Sequence, residues 1–328
     1  MNRYRICAAF ALSLGVIGGC VVPTIPNGNN SGGSGENVND NDDSGGDGGD
    51  LVEVNRISFE ADMGYASLAT VTLGIGNFSG DDGFADVIIV GANTAESESG
   101  QVQVLGNDGS GGFQDPTLVN LNSGVDGGSE IAVADLDADG APELIILDAG
   151  VPPGTTGGVV ILSNRDGFTG SSLLTGSDSN PSDVVVGDVN NDGNPDILLA
   201  ADGGTMLSIY PGNGDGSVGA ATTFQLPALV GDIKLADMDE DGNLDLLMSL
   251  VSDSEGTAQN QAAIMFGDGE GRFSALLLLD VGLVPDQVAA ADINNDGHLD
   301  LVVGHLLDAF RVFLGTGDGT FGEFLRPT

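Results

Sequence analysis

Short apolar segments alternate with polar, glycine-rich turns along the chain from about residue 66 to the end. The segments are rich in Val, Ile and Leu and are bounded by Gly, Asn and Asp, which is typical of β-strands. In the clearest unit the predicted strands cover residues 183–189, 195–201, 206–210 and 221–226. The pattern therefore predicts an all-β fold assembled from units of four strands.

A nine-residue turn stands between the first and second predicted strands of each unit. In the copy at 292–300, oxygen-bearing side chains occupy positions one, three, five and nine, and Gly297 occupies position six. Three further copies begin at Asp135, Asp188 and Asp237, and an irregular copy begins at Asn77. A hard cation such as Ca²⁺ takes six to eight oxygens, which alternate side chains of a sharply turned loop supply, together with one main-chain carbonyl.

This spacing predicts Ca²⁺ sites in four regular loops and one degenerate loop. The candidate side-chain ligands of the regular loops are Asp135, Asp137, Asp139 and Glu143; Asp188, Asn190, Asp192 and Asp196; Asp237, Asp239, Asp241 and Asp245; and Asp292, Asn294, Asp296 and Asp300. Those of the degenerate loop are Asn77, Ser79, Asp81, Asp82 and Asp86.

The EF-hand, another cation loop of similar sequence, is excluded by two features. It requires a bidentate Glu at position twelve and helices on both sides. The residues at that position are all apolar: Ile146, Leu199, Met248 and Val303. The flanking segments are strand-like, so these are cation loops between two β-strands.

The repeat has a nearly constant length, because the first positions of the loops lie 49 to 58 residues apart. Each unit also contains a second Gly-rich turn, such as 213–216, which indicates a β-hairpin. Repeated four-stranded sheets predict a β-propeller of about five blades. A six-bladed or an open arrangement remains an alternative. Residues 52–60 resemble an unpaired outer strand that would complete the last unit, and residues 322–326 compete for the same place.

Residues 186–198 and 312–321 resemble the FG-GAP/VCBS repeat, the blade of integrin α-subunit propellers and of many bacterial surface proteins. The resemblance covers residues 66–328. It implies that Ca²⁺ binds the side chains at positions one, three, five and nine and the main-chain carbonyl at position seven. Those carbonyls belong to Ala141, Asn194, Asn243 and His298.

The N-terminal region has a different character. Residues 1–20 combine Arg3 and Arg5 with an apolar stretch and end in Cys20, which resembles a bacterial lipoprotein signal. The resemblance implies cleavage before Cys20 and lipidation of that residue, and an ordinary secretory signal is the alternative. Residues 21–50 are an acidic Gly/Asn/Asp-rich tether expected to be disordered, and residues 51–328 form the propeller. We expect a lipid-anchored protein of the cell envelope, on the outer membrane or cell surface.

The composition limits the function. With 49 acidic against 8 basic residues, the net charge of −41 excludes a nucleic-acid partner and leaves Cys20 as the only membrane attachment. No motif pairs either histidine with a nucleophile, and no phosphate-binding loop or zinc cluster is present. We therefore expect no enzyme, but a binding or adhesion module for an extracellular protein or glycan. The alternatives are a polysaccharide hydrolase or lyase and a structural envelope component.

Overall fold

The structure, a computed structural model, describes residues 68–78, 83–93, 100–110, 112–121, 130–148, 158–164, 168, 170–174, 181–201, 205–251, 260–282, 284–305 and 310–322. All of these residues lie in one compact unit, Ala66–Thr328. Every regular element in these ranges is a β-strand, which confirms the all-β prediction. No helix in the described ranges is long and apolar enough to span a bilayer. The predicted signal, the tether and the unpaired strand at 52–60 lie outside the described residues.

The strands form five antiparallel sheets, and within each sheet neighbouring strands follow chain order. Sheet 1 contains β1 (Leu68–Gly76), β2 (Asp86–Asn93), β3 (Gly100–Leu105) and β4 (Thr117–Asn120). Sheet 2 contains β5 (Glu130–Ala134), β6 (Glu143–Asp148), β7 (Gly158–Ser163) and β8 (Gly170–Leu174). Sheet 3 contains β9 (Pro181–Gly187), β10 (Asp196–Ala201), β11 (Met206–Tyr210) and β12 (Thr222–Gln225). Sheet 4 contains β13 (Leu229–Ala236), β14 (Asp245–Val251), β15 (Gln261–Met265) and β16 (Leu277–Asp280). Sheet 5 contains β17 (Pro285–Ala291), β18 (Asp300–His305) and β19 (Phe310–Phe313).

In sheets 2, 3 and 4 the second strands are apolar on both faces because each of these sheets packs between two others. In β6, Leu144 and Ile146 face the core shared with sheet 1, whereas Ile145 and Leu147 face the core shared with sheet 3. All four side chains are fully buried. Burying a side chain of this size contributes about 1.5–3 kcal/mol, so the cores between the sheets are the main source of stability.

Consecutive sheets meet through their first strands. β1 contacts β5, β5 contacts β9, β9 contacts β13, and β13 contacts β17. Four apolar cores fill the spaces between sheets 1 and 2, 2 and 3, 3 and 4, and 4 and 5. This serial stacking is the arrangement expected of propeller blades, while closure of the five sheets into a ring stays a prediction.

The turns fall where the sequence pattern places them. The nine-residue loops connect the first and second strands, as in the pairing of Gly187 with Asp196 in sheet 3. The second Gly-rich turn lies between the third and fourth strands and is closed by a single bridge, for example Gly212 with Val218. In sheet 3 the third strand has the predicted bounds, and the other three strands differ by at most two residues at either end. In sheet 5 the described residues supply three strands rather than the predicted four.

Candidate metal centres

The four regular loops share one backbone conformation. Position six is glycine with φ between 89° and 95° in all four loops: Gly140, Gly193, Gly242 and Gly297. A Cβ atom at these glycines would meet no atom within 4 Å. The backbone angle rather than lack of space therefore selects glycine. Position four is also left-handed although it is never glycine, with φ between 55° and 58° at Ala138, Asn191, Glu240 and Asn295. The pattern of oxygen-bearing residues and glycine does not predict this second left-handed residue.

The carboxylate at position one closes the turn. Asp188 accepts hydrogen bonds from the N–H of Asp192 at 3.2 Å and of Gly193 at 2.9 Å. Asp237 and Asp292 accept the equivalent pairs of bonds at 3.0–3.2 Å. These bonds orient the position-one oxygens over the loop backbone.

Positions three and five continue the same pattern of short-range bonds. Asn190 accepts from the N–H of Asp192 at 2.8 Å, and Asp192 accepts from the N–H of Asn194 at 2.8 Å. The position-five residues Asp139, Asp241 and Asp296 likewise accept from the residue at position seven. Each of these side chains thus accepts a hydrogen bond from the backbone N–H two residues later in the loop. These bonds hold successive oxygens on one side of the turn.

The carboxylate at position nine has a role that the sequence analysis did not assign to it. Asp196 is 1% exposed and accepts from the N–H of Val189 at 3.0 Å and of Gly212 at 2.8 Å. Gly212 belongs to the second turn of the same sheet, so the carboxylate ties the two turns together. Equivalent pairs of bonds are formed by Asp86, Asp245 and Asp300. Because each oxygen has two lone pairs, this role leaves capacity for a cation.

Two loops bring several carboxylates together. Oxygens of Asp135, Asp137 and Glu143 lie within 4.8 Å of one another, as do oxygens of Asp237, Asp239 and Asp241. Both groups consist of residues predicted as ligands of one cation. They use different positions of the loop: one, three and nine in the first, and one, three and five in the second.

The position-nine carboxylates of sheets 2, 3 and 4 have raised pKa values. Burial raises the pKa of Asp245 to about 6, against the effect of its bonds from Gly267 and Met238, and Asp239 and Asp237 raise it further. Burial also raises the pKa of Glu143 and of Asp196, and the neighbouring loop acids add to both shifts. A bound divalent cation would reverse these shifts, because it stabilises the ionised form of every carboxylate around it.

Two buried oxygens in the described parts of the loops have no hydrogen-bond partner. They are Oδ1 of Asp135 and Oδ1 of Asn77, both at position one and both buried at the atom. A buried oxygen without a donor is costly, and a cation at the loop would satisfy it. The donor set is oxygen throughout and the backbone is turned for it, so the residues present fit Ca²⁺.

The irregular loop is described only in part. Ser79, Asp81 and Asp82 lie outside the described residues, whereas Asn77 and Asp86 keep the places of positions one and nine. Asp86 forms the usual two bonds to the turns, with Phe78 and Asn107 as donors at 2.7 Å. Asp86 therefore ties the two turns of sheet 1 together, as Asp196 does in sheet 3, despite the irregular sequence of the loop.

Neighbouring loops also contact one another. Asn191 at position four donates to Asn243 at position seven of the next loop at 2.7 Å. Glu240 and His298 form the corresponding pair in the next two loops, with His298 Nδ1 2.5 Å from Glu240 Oε1. The loops of sheets 3, 4 and 5 thus form a connected row at one end of the sheets.

A second cluster of charges lies on the first strands, at the ends away from the cation loops. Asp183 accepts from the N–H of Ile233 in the next sheet at 2.7 Å, and Asp232 accepts from the N–H of Val288 in the sheet after it at 2.7 Å. Lys234, the only lysine, lies 2.7 Å from Asp232 and 3.7 Å from Asp183. Burial raises the pKa of Asp183 to about 7 despite the nearby Lys234. These carboxylates fasten adjacent first strands, a role that sequence analysis missed.

The repeat geometry agrees with a comparison against protein families. A family model described as FG-GAP-like repeat matches residues 81–146 and 188–248. The chain contains FG-GAP-like repeats. Each FG-GAP-like match ends in the second strand that follows a regular loop, β6 in the first match and β14 in the second. A search of curated proteins finds no significant match.

Several solved structures align with this chain at low sequence identity. A lectin of Agrocybe aegerita that recognises non-reducing terminal N-acetylglucosamine aligns with a TM-score of 0.41 and 19% identity, over 79% of this chain and 80% of that chain. A biofilm matrix protein of V. cholerae aligns with a TM-score of 0.48 and 17% identity, over 79% of this chain and 39% of that chain. Similarity at this level does not transfer a ligand or a function to the FG-GAP-like chain.

Proposed function

We propose that the protein is a Ca²⁺-braced β-propeller that acts as a binding or adhesion module at the cell envelope. The observation that carries the proposal is the shared loop geometry, in which position-one and position-nine carboxylates are fixed by backbone N–H groups while an oxygen of Asp135 is left without a donor. This geometry supports a scaffold that ions stabilise, with recognition placed elsewhere on the molecule.

Each cation would be held by the side chains at positions one, three, five and nine and by the carbonyl at position seven. When bound, Ca²⁺ supplies a positive charge that offsets the clustered carboxylates. The protein's own residues form the frame: position nine joins the loop to the second turn, and the row of contacts through Asn243 and His298 joins one loop to the next.

The proposed recognition surface is formed by the connections between the second and third strands. These connections are residues 94–99, 149–157, 202–205, 252–260 and 306–309. Because the strands are antiparallel, all five leave the sheets at the ends opposite the cation loops. They differ in length and sequence while the strands repeat, and variable loops on a rigid scaffold are a common location for ligand binding. A lipid on Cys20 would attach the protein to the cell envelope, with residues 21–50 as the linking segment.

The test is an exchange of connections on a fixed scaffold. Residues 149–157 and 252–260 are each replaced by a Gly/Ser segment of equal length, and the matched control replaces residues 213–217 in a turn at the cation-loop end. We expect binding to glycan and protein arrays, measured in Ca²⁺, to be lost with the first two exchanges and kept with the control. Binding that survives both exchanges contradicts the proposal. Turnover of any glycan on the array would instead favour the hydrolase or lyase alternative.

A further inference from the structure

The second turns of sheets 3, 4 and 5 each lie against the cation loop of the preceding sheet. Gly216 in sheet 3 donates its N–H to the carbonyl oxygen of Leu136 in the loop of sheet 2 at 3.4 Å, and Gly271 in sheet 4 donates to Val189 in the loop of sheet 3 at 3.1 Å. A Cβ atom at Gly271 would lie 3.4 Å from the Cβ atom of Asn190, at position three of that loop. The corresponding distances in sheets 3 and 5 are 3.8 Å and 3.3 Å, for Gly216 with Asp137 and Gly319 with Asp239.

The residue at position seven of a loop packs against the second turn of its own sheet. In sheets 3, 4 and 5, a Cβ atom at one glycine of that turn would come within 3.0 Å of the position-seven side chain. The pairs are Gly214 with Asn194, Gly269 with Asn243, and Gly317 with His298. The N–H of each position-seven residue also donates to the carboxylate at position five of the same loop. The residue whose carbonyl is a predicted Ca²⁺ ligand is thus held from two sides.

The side chain at position four of the preceding loop reaches the same place from a third side. Asn191 Nδ2 donates to Asn243 Oδ1 at 2.7 Å, and a Cβ atom at Gly269 would overlap both side chains. The same arrangement joins Glu240 and His298, whose Oε1 and Nδ1 atoms lie 2.5 Å apart beside the equivalent glycine. The missing side chain of this glycine therefore makes room for a contact between two cation loops.

The row of side-chain contacts has a break between sheets 2 and 3. Position four of the loop of sheet 2 is Ala138, whose side chain has no group that can donate a hydrogen bond to Asn194 in the next loop. The backbone is the same, since Ala138 and Asn191 have φ values of 56° and 55°. The backbone contact of Gly216 with Leu136 is also present at this junction. One scaffold therefore contains both linked and unlinked pairs of loops.

Order in one loop would extend to the next through the position-four side chain. The predicted ligands at positions three and five flank position four, so a loop whose ligands are fixed also restricts Asn191. A restricted Asn191 in turn holds Asn243, and less conformational entropy is then lost when the next loop binds its own ion. A first binding event that reduces the ordering cost of a second one produces positive cooperativity.

We propose that Asn191 and Glu240 are positioning residues that couple the cation sites of sheets 3, 4 and 5. Filling one site raises the affinity of the neighbouring site, and the coupling is reciprocal. The loop of sheet 2 lacks the side-chain link and is filled separately. This coupling presupposes the Ca²⁺ binding of the proposed function, and it adds that three of the four regular sites respond to Ca²⁺ as a group.

Full-length chains that retain two predicted sites measure the coupling. Asp139→Ala and Asp296→Ala together leave the loops of sheets 3 and 4, and adding Asp192→Ala or Asp241→Ala gives the two single-site chains. The measurement is a calorimetric titration of Ca²⁺ into each chelator-treated chain. We expect the second ion to bind the two-site chain at least about fivefold more tightly than the single-site affinities predict.

The substitution Asn191→Gly removes the side-chain link and suits the left-handed backbone. In the two-site chain we expect it to reduce the coupling to less than about twofold. The metal-free Tm, measured in chelator, separates this role from a structural one. A merely structural side chain would change the metal-free Tm and leave the coupling factor as it is.

The loops of sheets 2 and 3 are the matched control pair. Asp241→Ala and Asp296→Ala leave these two sites, and we expect their coupling to be less than about twofold. Ala138→Asn should raise it to at least about fivefold, because the new side chain supplies the missing donor to Asn194.

The coupling is overturned by independent sites in sheets 3 and 4, or by a coupling factor that Asn191→Gly leaves unchanged. It is also overturned if the sites of sheets 2 and 3 are coupled as strongly without Ala138→Asn as with it. Each of these results requires measured Ca²⁺ binding and leaves the proposed function intact. Absence of binding heat in every chain contradicts the proposed Ca²⁺ binding and the coupling together.

Discussion

At the scale of single residues, position four of each regular cation loop adopts a left-handed backbone whatever its side chain. Asn191 and Asn295 suit this conformation, whereas Ala138 and Glu240 do not. Ala138→Gly should therefore raise the free energy of unfolding by about 0.5–1 kcal/mol, measured by chemical denaturation in chelator. The matched control is Ala141→Gly at position seven, which lacks a positive φ and should lose stability. A loss of stability in Ala138→Gly would contradict the assigned strain.

Replacement by Ala at position five and at position nine should have different effects on the stability of the metal-free protein. Asp196→Ala leaves the N–H groups of Val189 and Gly212 without an acceptor, so we expect a loss of about 2–5 kcal/mol even without Ca²⁺. Asp192→Ala removes an exposed side chain and should change the metal-free stability by about 1 kcal/mol or less. It should still remove one bound Ca²⁺. Similar losses of metal-free stability in the two variants would contradict the role of the position-nine carboxylate in tying the two turns together.

At the scale of the elements, adjacent first strands are fastened by the carboxylates of Asp183 and Asp232. Lys234, Asp232 and Glu130 face Asp183, whose pKa is raised to about 7 because burial outweighs the attraction of Lys234. The pKa of an unfolded Asp lies near 3.9. The protonated form is thus favoured by folding, and its contribution to stability is complete below about pH 4 and is lost as the pH rises through 7.

This linkage predicts a specific effect of one substitution. In chelator, the free energy of unfolding of Asp183→Asn should fall less between pH 5 and pH 8 than that of the wild-type chain, by about 1–3 kcal/mol. Asp115→Asn, in an exposed turn of sheet 1, is the control and should keep the wild-type pH dependence. Parallel pH profiles for Asp183→Asn and wild type would show that Asp183 is not the titrating group.

The elements themselves were predictable because their signals are local and repeated. The alternating apolar segments and the turn at 188–196 define the first two strands of sheet 3 to within two residues. The hydrogen bonds that Ile233 donates to Asp183 and that Val288 donates to Asp232 join residues 50 and 56 positions apart. No local sequence pattern therefore predicts them. Aligning the units would have shown an acid at the same place in three of them, because Glu130, Asp183 and Asp232 all lie four residues before the end of the first strand.

At the scale of the whole molecule, a net charge of −41 opposes folding through self-repulsion, and cations in the loops would offset part of it. Sites of the affinity typical of extracellular modules contribute roughly 0.5–1.5 kcal/mol each at millimolar Ca²⁺. We expect chelation to lower the Tm by several degrees and added Ca²⁺ to restore it. Mg²⁺ at equal concentration should restore less, because it releases its water reluctantly. Equal recovery with both ions would indicate simple screening of charge.

The most direct test of the account is a calorimetric titration of Ca²⁺ into the chelator-treated full chain. We expect saturable heat with a stoichiometry of about four, one ion for each regular loop. The stoichiometry should fall to about three in Asp296→Ala and vanish when Asp139, Asp192, Asp241 and Asp296 are all replaced by Ala. Absence of binding heat in the wild-type chain, or an unchanged stoichiometry in the fourfold variant, would contradict it.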